Sequence, residues 1–250
     1  MTPPMPTLHS EVSAVRFGEL DASGQLSLRA LCERLQDGAA AGAASLGVSM
    51  PGLAERGLAW VLHELRIEAR RPVGLGEPLR VTTWPSSFGR LIAERDFELT
   101  VDGEVVALAT SRWAVVDLAE RRAVRLEPGI RALPVGERRV ALGPPTPRPG
   151  RLGTAGDGRR FEVRRSDLDS VGHVNHTRYV DWLVESVPDA VWDTRRACGI
   201  EVSFSREVRR GQVVFSRAER LPGPGERFAH ELLDSDERLL AGAVTRWVPR

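Results

Sequence analysis

The stretch Leu168-Asp169-Ser170-Val171-Gly172-His173-Val174 repeats Leu20-Asp21-Ala22-Ser23-Gly24-Gln25-Leu26 in its leucine, aspartate and glycine at one offset of 148 residues. Both stretches run on into an amphipathic pattern. Leu28, Leu31, Cys32 and Leu35 in the first copy, and Val180, Leu183, Val184 and Val187 in the second, fall at i, i+3, i+4 and i+7. That spacing is the apolar stripe of one helix in each half. Further out, Ile67–Val81 resembles Val202–Ser216, with Arg71 over Arg206 and Gly76 over Gly211, and Thr110-Ser111-Arg112-Trp113 parallels Val244-Thr245-Arg246-Trp247. Three blocks in the same order, with offsets that shrink through loop deletions, make the chain an internal duplication.

Between the copies lies Gly143-Pro-Pro-Thr-Pro-Arg-Pro-Gly150, followed by Gly153, Gly156 and Gly158. So many prolines and glycines cannot sustain regular backbone hydrogen bonding, so residues 143–158 read as a linker between a unit over 1–142 and a unit over 159–250. Period-two and β-rich runs predict strands at Trp60–Glu68, Pro78–Trp84, Leu91–Val101, Glu104–Thr110 and Trp113–Leu118, with Asp102-Gly103 as a hairpin turn. The second copy offers Glu201–Phe204, Val213–Ala218, Arg227–Leu232 and Leu239–Val248, with a turn at Pro222-Gly-Pro-Gly225. Strands that follow one another after a single helix predict an α+β architecture, one long helix on an antiparallel sheet in each unit. The two sheets are expected to pair side by side.

A chain of 250 residues buries about 70–75% of its unfolded surface without a metal or disulfide staple. All 35 basic residues are arginine, and 34 acidic residues bring the net charge to +1, which argues against nucleic-acid binding. Cys32 and Cys198 are too few for a disulfide framework and fit a reducing compartment. The start, Met1-Thr-Pro-Pro-Met-Pro6, lacks the basic and apolar regions of a signal peptide. The longest uncharged run, Gly38–Ala54, is short of a membrane span and diluted by Ala, Gly and Ser. These features lead us to expect a cytoplasmic protein.

Chemistry concentrates in Arg164–Tyr179, where Asp167, Asp169, His173, Asn175 and His176 lie within ten positions at the expected start of the second helix. A helix start presents unpaired N–H groups and a positive dipole end to a developing oxyanion. A carboxylate just upstream can activate water or attack a carbonyl. Asp169 can equally serve as a turn or helix cap, a role open to Asp21 in the other copy as well. The copies themselves discriminate: the first has Gln25 where the second has His173, and Ser27 where it has Asn175. The Asp–Gly skeleton is shared architecture, and the added polar chemistry is confined to one copy. His173 and His176 at i, i+3 with Asp169 lack a third or fourth ligand for a metal. No Gly-x-Ser-x-Gly elbow, phosphate loop or Cys-x-x-Cys is present. His9, His63 and His230 read as ordinary surface or strand residues. The tryptophans read as core, with Trp60 or Trp84 available to line an apolar pocket.

Ser166-Asp-Leu-Asp-Ser-Val-Gly-His-Val-Asn-His-Thr-Arg-Tyr-Val-Asp-Trp182 resembles the signature of the acyl-acyl-carrier-protein thioesterases, in which Asp-x-Asn-x-His-Val-Asn-Asn opens the helix of the second of two hotdog domains. Gly57-Leu-Ala-Trp60-Val-Leu, Arg70-Arg-Pro-Val73 with Gly76-Glu77, Thr82-Thr-Trp-Pro85 and Arg95-Asp-Phe97 are similar to the family as well. The resemblance implies two tandem hotdog domains, their sheets paired into a pseudo-dimer. The implied enzyme is a thioester hydrolase that releases fatty acid from acyl-acyl carrier protein, in fatty acid biosynthesis, without cofactor or metal. It assigns catalytic roles to Asp169, His173 and Glu207 and substrate contacts to Asn175, Trp60 and the position of Val171. Two positions depart from the pattern: the family's Asn is Val171 here, and the Cys beside its Glu is Val208, which removes a thiol nucleophile. The implied partner is an acidic carrier protein, with Arg164, Arg165, Arg209 and Arg210 to steer it, and the chain acts as a monomeric double hotdog or a homodimer. Rival readings are an acyl-coenzyme A thioesterase, a catalytically weak acyl- or carrier-binding hotdog protein and, less well matched, a hotdog dehydratase.

Overall fold

A computed structural model of the chain describes residues 7–146, 150–153 and 158–250. It forms two compact units, one taking in the chain up to Leu26 and Leu31–Gly143, the other Ser27–Ala30 and Pro144–Arg250. The linker expected over 143–158 lies partly outside the described residues. Of the rest, Thr146 donates its N–H and hydroxyl to Glu201 at 2.9 and 2.8 Å, and Leu152 is buried, so these positions are tied to the second unit.

The first unit begins with strand β1 (His9–Ala14) and helix α1 (Leu28–Ser45). The Ser27 hydroxyl accepts the Ala30 N–H at 3.1 Å, satisfying one of the orphan donors of the helix start, and Leu28, Leu31, Cys32 and Leu35 form its buried stripe. The short α2 (Met50–Ala54) leads into β2 (Leu58–Ala69), β3 (Pro78–Phe88), β4 (Ile92–Val101), β5 (Glu104–Asp117), β6 (Arg122–Val124) and the single-turn α3 (Pro128–Arg131). The strands pair antiparallel in the order β1-β3-β4-β5-β2, with β6 on β5. Alternate residues of β4, from Ala93 through Phe97 and Leu99 to Val101, are buried on the face that α1 covers. The helix approaches closely because a Cβ at Gly38 would already touch Val81. Asp102 and Gly103, at φ 49° and 85°, make the expected hairpin turn.

The second unit repeats this plan with β7 (Arg159–Glu162), α4 (His176–Val184), α5 (Asp189–Trp192), β8 (Arg195–Phe204), β9 (Val213–Arg220), β10 (Glu226–Asp234) and β11 (Leu239–Pro249). Its strand order, β7-β9-β10-β11-β8, is that of the first unit element for element. Even a bulge recurs. The β2–β5 register slips at His63 beside the Arg112–Trp113 step, and the β8–β11 register slips at Cys198 beside Arg246–Trp247. Val180, Leu183 and Val187 are wholly buried, and full burial of such a side chain stabilises by about 1.5–3 kcal/mol.

Three expectations need correction. The second helix is not long: α4 has 9 residues where α1 has 18, and Val187 lies past its end, before Pro188. The shrinking offset between the copies is therefore mostly helix shortening rather than loop deletion. Glu104–Thr110 and Trp113–Leu118 are one continuous strand, because Ser111 and Arg112 keep the ladder to β2 and β4 unbroken.

Candidate functional site

In the second unit a one-turn 3-10 helix, Arg165–Asp167, delivers the chain to the Asp169 turn, with Asp167 accepting the Arg164 N–H at 2.7 Å. Oδ1 of Asp169 accepts the N–H of Val171 at 3.0 Å and of His173 at 3.1 Å. The Asp169 N–H donates to the His173 carbonyl at 2.8 Å, and Gly172 takes a φ of 83°, a conformation that favours glycine. Asn175 caps α4: its Oδ1 accepts the Thr177 N–H at 3.0 Å and hydroxyl at 2.9 Å. One carboxylate oxygen of Asp169 is thus fixed by the backbone, and Oδ2 has no protein partner among the described residues.

The first unit builds the same turn without the same chemistry. Asp21 Oδ1 accepts the N–H of Ser23 at 2.8 Å and of Gln25 at 3.3 Å, and Gly24 has a φ of 76°. Gln25 bridges Gly74 where His173 bridges Arg209. Counting from those bridges, Gln25, Pro72 and Gly74 occupy the positions of His173, Glu207 and Arg209. All three ionisable side chains are confined to the second copy, and they meet there. His173 Nε2 lies 3.4 Å from Glu207 Oε2, and Arg209 Nη2 donates to Glu207 Oε1 at 3.0 Å. The sequence expectation joined Asp169, His173 and Glu207. It assigned Arg209 to a carrier protein, whereas its guanidinium is engaged by Glu207.

Behind this edge stands an aromatic wall. His176 and Tyr179 each meet Phe204 edge-on at 5.7 Å, Tyr179 lies 5.9 Å from Trp182, and Trp182 stacks on Phe161 at 5.9 Å. The Tyr179 hydroxyl donates to the Arg206 carbonyl at 3.1 Å. Burial, reinforced by the negative charges of Glu207 and Asp169, holds its phenol well above the usual range. Burial also pushes the His176 imidazole down to about 4, against the pull of Asp169, so this histidine is neutral at ordinary pH. The wall escaped the sequence reading, although His176, Tyr179 and Trp182 already recur at i, i+3 and i+6 along one helix face.

The remaining expected residues are scattered. Val171 is 67% exposed at the tip of the turn, and its backbone rather than its side chain serves the site. Val208 is wholly buried, its carbonyl accepting the Val174 N–H at 2.9 Å. Trp60 belongs to the first unit, where its indole N–H donates to the Val48 carbonyl at 3.0 Å and its rings pack on Leu53, Ala93, Val115, Leu126 and Ile130. Trp84 is buried in the same unit and donates to the Arg138 carbonyl at 2.8 Å. Arg164, Arg165 and Arg210 are exposed. His230 is a core residue rather than a surface one, 2% exposed and held by Thr245 Oγ1 at 2.7 Å.

Comparison with known proteins follows the duplication. A family model described as the acyl-ACP thioesterase N-terminal domain matches residues 6–133, and the acyl-ACP thioesterase C-terminal domain model matches residues 153–248. A chloroplastic acyl-[acyl-carrier-protein] hydrolase of Cuphea viscosissima is 28% identical over 257 residues, covering 95% of this chain. The chain spans 61% of the length of that relative. The crystal structure of an acyl-ACP thioesterase from Bacteroides thetaiotaomicron superposes with a TM-score of 0.87 at 22% identity, covering 97% of this chain and 98% of the other. That of a putative oleoyl thioesterase from Lactobacillus plantarum superposes with a TM-score of 0.86 at 25% identity, covering 97% and 96%. The fold is the double hotdog of these proteins.

Proposed function

Since the chain belongs to the acyl-ACP thioesterase family, as domain models over residues 6–133 and 153–248 show, we propose that it hydrolyses acyl-acyl carrier protein and releases the free fatty acid. The observation that carries this reading is the confinement of His173, Glu207 and Arg209 to the copy whose Asp169 turn they adjoin.

Asp169 Oδ2, the carboxylate oxygen left open by the turn, holds the attacking water and begins to take its proton as the oxygen bonds to the acyl carbon. Oδ1 cannot drift, because two backbone N–H groups hold it, so the water is positioned before the substrate arrives. The His176 N–H at the start of α4 stabilises the developing oxyanion, helped by the positive end of the helix; its neighbours Asn175, Thr177 and Arg178 donate within the turn and cap. When the carbon–sulfur bond breaks, the thiolate of the phosphopantetheine arm leaves and takes a proton from His173, whose ring Glu207 holds in place at 3.4 Å. The water's second proton restores His173, Asp169 gives the first to solvent, and the acid departs as a carboxylate. His176, Tyr179, Phe204 and Trp182 keep the acyl side dry, which strengthens each of these charge interactions.

The donor in this reading is a carrier protein, met by exposed Arg164, Arg165 and Arg210. The cysteines Cys32 and Cys198 are not joined in a disulfide, and no helix among the described residues is long and apolar enough to cross a membrane. Both facts fit work in the cytoplasm on fatty acid synthesis. A weaker enzyme or acyl-binding protein is the second reading, favoured by Val171 and Val208 in place of the family's Asn and Cys. The deciding experiment measures thiol release from matched acyl-carrier-protein and acyl-coenzyme A substrates, beside Asp169→Asn. Release from neither substrate, or equal release by the variant, would overturn the assignment. Faster release from coenzyme A would move the donor.

A further inference from the structure

The first unit holds a buried charge that the proposed reaction does not use. Arg95 of β4 lies on the face covered by α1, where a Cβ added to Gly42 would stand 2.6 Å from its Nη1. The residue is 8% exposed. Its Nη1 donates to Thr83 Oγ1 at 3.3 Å, a hydroxyl already donated to the Asp96 carbonyl at 2.9 Å. No carboxylate pairs with the guanidinium among the described residues, and Nε and Nη2 have no hydrogen-bond partner there. The acidic neighbours are committed elsewhere. Asp96, on the opposite face of the strand, accepts from Ser86, Thr110 and Val140, and Glu94 pairs with Arg139 and Arg112. Burial draws the Arg95 pKa down to about 10, so the group stays charged at neutral pH with little to offset its lost hydration.

The fold does not need this charge. Arg95 is paired across the ladder with Ser111, and the residue paired with the equivalent Thr245 in the second unit is Phe228, 3% exposed. One position carries phenylalanine in one copy and arginine in the other. This is the same asymmetry that marks His173 and Glu207, now running the other way. Above the guanidinium α1 reads Gly38-Ala-Ala-Ala-Gly-Ala-Ala-Ser45, and the surrounding face is built from Val81, Phe97 and Leu99. A hydrated inorganic ion gains little from such surroundings. A carboxylate at the end of an apolar chain gains twice, because it meets the planar donor pair of Nε and Nη2 and buries its methylenes.

We propose that Arg95 is the binding site, within the first unit, for the carboxylate of a medium- or long-chain acid. Two sources share that chemistry: the free acid the enzyme releases, and an acyl chain that carries a second carboxylate at its far end. The naming of sources rests on the thioesterase reading; the binding site itself does not.

The test is calorimetric titration of the full chain with decanoate, decan-1-ol and inorganic phosphate. Decanoate should bind at least tenfold more tightly than decanol, with no heat from phosphate. Arg95→Met should weaken decanoate at least tenfold and leave decanol within twofold, and Gly42→Ala, which keeps the charge but displaces the guanidinium, should weaken decanoate too. Circular dichroism and melting identify a variant that has lost its fold. Should Arg95→Met unfold, Arg95→Lys and Gly42→Ala carry the comparison. Decanoate binding unchanged in the folded variants would overturn the proposal. Asp169→Asn should abolish thiol release and leave the titration unaltered, so a failure of the thioesterase reading appears in turnover alone. Between the sources, a preference for a dicarboxylic monothioester over the plain thioester that Arg95→Met erases indicates the far-end carboxylate. Product inhibition by decanoate that Arg95→Met relieves indicates the released acid.

Discussion

His173 and Asp169 hold each other through the backbone in both directions: the His173 N–H donates to Asp169 Oδ1 at 3.1 Å while the Asp169 N–H donates to the His173 carbonyl at 2.8 Å. An amide oxygen accepts those N–H groups as well as a carboxylate oxygen does, so Asp169→Asn should keep the turn. It removes the charge on Oδ2, and thiol release should fall about a thousandfold or more, within the span known for a lost general base. The melting temperature should stay within a few degrees. Asp21→Asn makes the same change in the first unit's copy of the turn and should leave turnover within about twofold. Comparable losses in both variants would mean that the turn matters only as scaffold.

Val171 donates its N–H to Asp169 and leaves its side chain 67% exposed. Nothing packs on the side chain that a polar replacement would disturb, so Val171→Asn should be neutral for stability, within about 0.5 kcal/mol. An asparagine there can hydrogen-bond water or a carboxylate, which valine cannot. We expect kcat to rise several-fold. A large loss of activity would show that this chain's site works without the family's geometry.

Glu207 is shared between His173 and Arg209, one oxygen to each. Glu207→Gln removes the carboxylate that holds both the His173 ring and the Arg209 guanidinium, so kcat should drop about a hundredfold in steady-state kinetics while the melting temperature stays within a few degrees. Arg209→Ala frees Glu207 without neutralising it. A smaller loss, with KM nearly unchanged, is the expected result in steady-state kinetics, because the guanidinium orients a residue rather than touching substrate.

Arg164, Arg165 and Arg210 are exposed and make no ion pair with a described carboxylate, unlike Arg209. Replacing the three by glutamate should raise KM for an acyl-carrier-protein substrate tenfold or more at low salt, with the gap to the parent closing as salt screens the charges. KM for a pantetheine thioester, which brings no acidic protein, should hardly change. Equal effects on both substrates would reject carrier steering.

The duplication was readable because residues that shape backbone repeat: Asp21 and Asp169 close the same turn, and Gly76 and Gly211 share a φ near 80°. Strands with a buried face showed their period of two. The ends of α4 were less legible, since the apolar spacing continues to Val187 while Pro188 and the Ser186 hydroxyl bond to Leu183 stop the helix earlier. Short elements such as β1 and β7 have too few residues to show a period and owe their existence to β3 and β9 beside them. Within the site, Asp169, His173 and Glu207 could be named from motif and resemblance. The engagement of Arg209 could not, because nothing in the spacing says whether an exposed guanidinium turns to the carboxylate two positions before it or out to solvent. Arg95 stayed hidden for a related reason: in sequence it is one more arginine in a period-two strand, and only packing under α1 shows which way it faces.

His230 occupies the ladder position that Phe97 fills in the first unit, since each is paired with an alanine two residues before the serine or threonine of the matching block, Ala243 and Ala109. Complete burial pushes its pKa down to about 3, so the folded chain keeps it neutral. The unfolded chain protonates a histidine near pH 6.5, and the depressed folded value therefore works against the fold as pH falls. Stability is full above pH 6.5 and declines by about 1.4 kcal/mol per pH unit between roughly 6.5 and 3 for this residue. His176, held at about 4, acts with the same sign. His230→Phe should remove one of the two contributions, making the loss of stability between pH 6 and pH 4 about half as steep in urea unfolding at a series of pH values. At neutral pH the variant gives up the bond to Thr245, whose hydroxyl still accepts the Trp247 indole N–H at 2.9 Å, so the cost there should stay near 1–2 kcal/mol. An acid limb as steep as the parent's would mean that other groups control the decline and that His230 is protonated without unfolding.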